Sequence, residues 1–167
     1  TGLMKHLNWD EIEGVISHEL SHVKNRDTLT STIAATVAGT IAFIAQMAWW
    51  SLFLGGGRRQ GGSLIFLPLI ILAPIAAMMI QLAISRTREL AADKTGALIS
   101  KKPLSLASAL EKISKVAHDH PLRGNSATSH LFIVNPFKGH FIGNLFLTHP
   151  RVEDRVRKLR EIAKEIK

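Results

Sequence analysis

The stretch "VISHELSHVKNRD", residues 15–27, holds a His-Glu-x-x-His pattern at His18, Glu19 and His22, and it borders a long uncharged run, since residues 28–57 carry no charge at all. On a helix, His18 and His22 stand four residues and about 40° apart around the axis, so both imidazoles reach one ion. Glu19 points about 60° from His22, near the ion without ligating it, which is the place for a base acting on a metal-activated water. Gly14 falls on the same face one turn earlier and is expected to leave space above the metal. Five-residue motifs of this kind also occur in unrelated helices, so the surrounding sequence decides its meaning.

Outward from the motif, residues 8–27 read as one helix. Asn8 can cap it, Glu11 stands at the reciprocal capping position, and Asp10 and Glu11 suit the positive end of the helix dipole. Trp9, Ile12, Val15, Ile16, Leu20 and Val23 recur at helical spacing and predict a buried stripe. Asn25 falls on the zinc side if the helix continues. Asp27 falls on the opposite side, where it ties the helix to its neighbours or marks the membrane boundary.

Two apolar runs follow, Thr28–Leu54 and Gly61–Ser85, both uncharged. About 20 apolar residues cross a bilayer's hydrocarbon core, so both are long enough. Trp49-Trp50 near the end of the first suits an interfacial belt, and "GGGRRQGG" (55–62) between them is a short turn. The pair reads as a transmembrane hairpin over 28–54 and 63–84. A buried helix pair of a water-soluble domain is the alternative. Pro68 and Pro74 predict a kink or interruption in the second run.

The net charge of +8 is uneven: 16 of the 21 Lys and Arg lie in residues 85–167. Basic balance alone points to nucleic acid or anionic lipid, but no aromatic residues are interleaved with the cations and no zinc-finger spacing occurs, so lipid is favoured over nucleic acid. A hairpin returns to the side it left, so residues 1–27 and 86–167 share one face. The positive-inside rule puts that face in the cytoplasm, giving a multi-pass protein of the cell (inner) membrane. No cysteine is present, so any metal is held by His and carboxylate. The Thr-Gly start suggests a piece of a longer protein.

Beyond the hairpin, residues 86–100 and 104–118 read as helices, the second with Leu106, Ala109, Leu110, Ile113 and Ala117 on one side. Residues 121–147 are poorly periodic, and a last helix starts near Pro150. Catalytic zinc usually has three protein ligands and one open position, which "SRTRELAAD" (85–93) can complete. Glu89 would be the third ligand. Asp93, one turn later on the same face, would hold the free nitrogen of a ligating His.

"HELSHVKNRD" (18–27), the hairpin, "SRTRELAAD" and "LTHPRVEDR" (147–155), in that order, resemble the HtpX-type membrane zinc metalloproteases, relatives of the CAAX prenyl endopeptidases. The resemblance covers essentially the whole chain. It implies zinc on His18, His22 and Glu89, a catalytic Glu19, the Asp of an ExxxD pattern at Asp93, and a transition-state His at His149, with an Arg at Arg155. Independently of it, a donor beside the metal stabilises the oxyanion of an attacked carbonyl, and His149, fixed by Pro150, can supply one. Arg155 can do the same or orient His149.

These readings make the chain mainly α: one peptidase domain over 1–167, a zincin-like HExxH helical metalloprotease domain interrupted by a transmembrane helical hairpin. The function expected is a membrane endopeptidase with one Zn2+ per chain, acting on misfolded or membrane proteins in quality control or stress response. Its partners are protein substrates and the lipid bilayer. The rivals are a non-catalytic membrane protein with a structural zinc site and a basic membrane-surface adaptor.

Overall fold

The computed structural model describes residues 3–54, 67–119 and 150–166. A short 3-10 turn, Leu3–Lys5, leads to α1 (Trp9–Lys24). Asn8 starts α1 with the expected capping box: its side chain accepts from the Glu11 amide at 2.9 Å, and its own amide donates to Glu11 at 2.9 Å. The helix stops three residues earlier than the pattern predicts. Arg26 adopts φ 54°, a left-handed conformation that turns the chain, and α2 (Asp27–Leu54) begins at the next residue.

α3 runs unbroken over Leu67–Ser100 with Pro74 inside it. The predicted 86–100 helix is therefore the last part of the second apolar helix; of the kink or interruption expected, no interruption occurs at Pro74. Lys101, at φ 56°, turns the chain out of α3. Pro103 then opens α4 (Pro103–Asp119), a first-turn position where its missing N–H costs nothing. α5 (Val152–Glu165) starts two residues after Pro150 with Glu153 and Asp154 in its first turn. Every described element is helical.

The chain divides into two compact units, Thr1–Thr28 with Ser85–Lys167, and Leu29–Ile84. In the first, Leu106, Ala109 and Leu110 of α4 and Leu159 of α5 are wholly buried, with Val15, Ala97 and Val156 around them. Burying each leucine stabilises the unit by about 1.5–3 kcal/mol. The apolar face predicted for residues 104–118 is this core face.

The stripe predicted for α1 is not buried. Trp9, Ile16, Leu20 and Val23 are all more than half exposed, while Ile12 is half-buried and Val15 alone of the set is buried. The buried face consists of Glu11, Gly14, Val15, Ser17, His18 and Ser21. Its residues are small or polar because neighbouring backbones approach closely there: a Cβ on Gly14 would lie 3.0 Å from the Leu106 amide nitrogen. Gly14 thus admits α4 and does not leave space above a metal.

The second unit contains the apolar parts of α2 and α3, two helices long and apolar enough to cross a membrane. Its largest side chains point outward, with Phe43, Ile44, Leu69 and Ile80 each about 60 % exposed or more within the chain (65 %, 61 %, 62 % and 59 %). The hydroxyls of Thr36, Thr40 and Ser51 donate to carbonyls of their own helix at 2.8–2.9 Å. Such back-bonding satisfies hydroxyls where no water can.

Candidate metal centre

His18 and His22 lie on consecutive turns of α1, and Glu89 comes from α3. The His18 and His22 Nε2 atoms are 3.3 Å apart. Glu89 Oε2 is 3.7 Å from His18 Nε2, and its Oε1 is 3.7 Å from His22 Nε2. With one donor atom from each residue, all three fall within 4.8 Å of one another. A tetrahedral ion with ligands at about 2.0–2.2 Å has ligand–ligand edges of about 3.3–3.6 Å, so the triangle fits one such ion.

The donor chemistry supports the same fit. His18 Nδ1 lies 3.0 Å from Asp93 Oδ1, and His22 Nδ1 lies 2.5 Å from Asp27 Oδ2. A carboxylate at Nδ1 favours the proton on that nitrogen and leaves Nε2 as a lone pair. Two imidazole nitrogens and a carboxylate converging on one point make a donor set suited to a cation.

The meeting of α1 and α3 depends on Gly96. A Cβ there would stand 2.9 Å from the His18 amide nitrogen and 3.0 Å from its Cα, so only glycine lets the helices approach this closely. Thr95 adds a hydrogen bond from its hydroxyl to Asn25 Oδ1 at 3.3 Å, beside the end of α1.

Asp93 and Arg155 lie behind the donors, each 1 % exposed. Arg155 gives Asp93 two hydrogen bonds, Nε to Oδ2 and Nη2 to Oδ1, both 2.7 Å. Its Nη1 is 3.5 Å from Glu89 Oε2, and its Nη2 comes within 3.4 Å of His18 Nε2. Burial pushes the Asp93 carboxyl up, but the close approach of His18, the two Arg155 hydrogen bonds and the Arg155 charge outweigh it and hold the group below its ordinary value. Glu19 is exposed on the turn between the two histidines, and its charge contributes to the field on Arg155. His149 lies outside the described residues.

Residues 1–163 match Peptidase family M48. The chain belongs to that family. It is 57 % identical to a "Protease HtpX homolog" of Pyrococcus furiosus over 169 residues, covering 99 % of this chain and 58 % of the relative. The homolog of Thermococcus sibiricus is 53 % identical, with 99 % and 59 % covered. That of Syntrophobacter fumaroxidans is 54 % identical, with 96 % and 60 % covered. The chain thus spans about three-fifths of the length of these relatives. No solved structure matches it. The HtpX-type resemblance read from the three motifs is borne out.

Two residues beside these donors carry no signal in the motifs. Asp27 was expected opposite His22, on the premise of a continuous helix. The turn at Arg26 breaks that premise and returns the Asp27 carboxylate to His22. Gly96 carries no motif. Its only signal is a glycine inside a helical pattern one turn beyond Asp93, a position where a close backbone approach is a reason for glycine.

Proposed function

We propose that this chain is the catalytic part of a membrane zinc endopeptidase. The observation that carries the reading is the triangle of His18, His22 and Glu89 donors, with both remaining imidazole nitrogens facing carboxylates. Zinc is the metal of choice for two imidazoles and a carboxylate in a tetrahedral set with one position left open. M48 membership and the HtpX relatives support peptide hydrolysis.

In this reading, residues 1–167 act as one peptidase domain, with a transmembrane hairpin over 28–54 and 63–84. A zinc ion held at the donor triangle would supply Lewis acidity for the scissile carbonyl and would lower the pKa of a water to about 7. Glu19, exposed and on the turn joining the two histidines, takes the proton of the attacking water and returns it to the leaving amine. His18, His22 and Glu89 hold the ion. Asp93 orients His18, and Arg155 fixes Asp93 while its charge offsets the carboxylates around it. His149 donates to the oxyanion as charge develops on it.

The outward-facing apolar side chains of α2 and α3 and the back-bonded hydroxyls support a hairpin in lipid. The excess of Lys and Arg in residues 85–167 supports a cytoplasmic site in the inner membrane. The resemblance to HtpX supports misfolded or membrane proteins as substrates, in quality control or stress response.

The deciding experiment uses the full-length protein with casein as substrate. Glu19→Gln is expected to retain zinc and to lose cleavage by at least about 100-fold, in line with the contribution of general acid–base catalysis. Unchanged cleavage in Glu19→Gln would sink the endopeptidase reading. A wild-type protein that cleaves nothing but keeps stoichiometric zinc would be the structural zinc protein.

A further inference from the structure

His22 is held from a direction the HExxH pattern does not contain. α1 ends at Lys24, Arg26 takes φ 54°, and Asp27 begins α2. This tight turn brings a carboxylate five residues on back to the ring, with Asp27 Oδ2 2.5 Å from His22 Nδ1. Asp27 is 4 % exposed, so water does not compete for the contact. Arg88, the residue before Glu89, approaches the same oxygen, with its Nε 3.6 Å from Asp27 Oδ2.

We propose that Asp27 is a positioning residue for His22, and that Arg88 steadies it, so that this ligand is oriented from the first residue of α2 and from α3. The inference rests on the metal-site reading above.

The chemistry follows from the ring's two nitrogens. A carboxylate at Nδ1 keeps the proton there, presents Nε2 to the ion and raises the basicity of the ligand. Without it, the half-buried His22 ring is free to take the other tautomer or to rotate about its side-chain bonds. Asp93 does this for His18, so each histidine has its own carboxylate, one from each of the helices flanking the apolar unit. Asp93 is itself clamped by Arg155 through two hydrogen bonds, and Arg88 Nε stands 3.6 Å from Asp27.

The experiment is zinc competition against a chromophoric chelator on the full-length protein in detergent, for wild type, Asp27→Ala, Asp27→Asn and Arg88→Gln. Asp27→Ala is expected to weaken zinc binding about 10–100-fold. Asp27→Asn keeps an acceptor oxygen without the charge and is expected to fall between it and wild type. Arg88→Gln is expected to lose less than Asp27→Ala. Cobalt substitution supplies a readout that a merely structural role would not move: the visible bands of the cobalt protein should shift in Asp27→Asn while its helicity matches wild type. Zinc affinity within twofold of wild type in both Asp27 variants, with unshifted cobalt bands, would overturn the proposal. If Asp27→Ala fails to fold, the isosteric Asp27→Asn decides by the same measurements. A wild-type protein that takes up no stoichiometric zinc would overturn the metal-site reading, and this proposal with it.

Discussion

Gly96 and His18 meet backbone to side-chain position: a Cβ at Gly96 would lie 2.9 Å from the His18 amide nitrogen, inside the closest approach that backbone atoms accept. The obstructing atoms belong to α1's backbone, which cannot swing aside like a side chain. Gly96→Ala is therefore expected to push α3 from α1, costing about 1–3 kcal/mol as overpacking. Because Glu89 and Asp93 ride on α3, zinc affinity should fall as well. Gly39, with nothing within 4 Å of its would-be Cβ, is the control: Gly39→Ala should leave zinc binding unchanged. Equal zinc affinities for wild type and Gly96→Ala would refute the role assigned to this contact.

Arg155 and Asp93 form a buried pair joined by two hydrogen bonds, and removing one member leaves the other charged and desolvated. Arg155→Met is expected to destabilise the fold by about 3–5 kcal/mol. Arg155→Lys should recover little, since an ammonium cannot reproduce the two-pronged fork. Urea unfolding followed by circular dichroism reads both. A loss below about 1 kcal/mol in Arg155→Met would mean that Asp93 is solvated or protonated there.

Glu11, in the capping box of α1, gives a pH test at a residue outside the His18, His22 and Glu89 donor set. Burial pushes its carboxyl up, but hydrogen bonds from Lys112, Ser108 and the Asn8 amide prevail and hold it below the ordinary value of 4.5. A carboxyl whose pKa is lower in the folded state contributes stability that is fully present above its unfolded value. That contribution is lost as pH falls through the folded value. The stability advantage of wild type over Glu11→Gln should thus be level above about pH 6 and shrink progressively below about pH 5. An advantage that grew on acidification would contradict the assignment.

The contrast between α1 and α4 explains what could be read from sequence. The α4 core face, Leu106, Ala109 and Leu110, follows hydrophobic periodicity because its neighbours are other apolar side chains. α1 breaks the rule because the face carrying His18 must admit two backbones and a ligand set. Apart from Val15, its buried positions are filled by glycine, serine, Glu11 and His18, and most of its large apolar residues point out. Periodicity consequently chose the wrong face for Trp9, Ile16, Leu20 and Val23. The donors His18, His22 and Glu89 were legible because ligand chemistry restricts residue type and spacing at once. Asp27 was not, because its position depends on one left-handed residue, Arg26, whose side chain gives no warning of φ 54°.

The apolar unit offers the remaining prediction. Phe43 lies near the middle of the first apolar run and is 65 % exposed within the chain, so whatever surrounds α2 must contact its ring. If that surrounding is lipid, an arginine near the helix centre costs about 2.5–3.5 kcal/mol on insertion scales, enough to impair insertion of a span already containing threonines, serine and glutamine. Phe43→Arg should then shift the protein from the carbonate-resistant membrane fraction toward the extractable one. Phe43→Leu should remain with wild type. Carbonate resistance unchanged in Phe43→Arg would mean that this face of α2 does not lie in the hydrocarbon core.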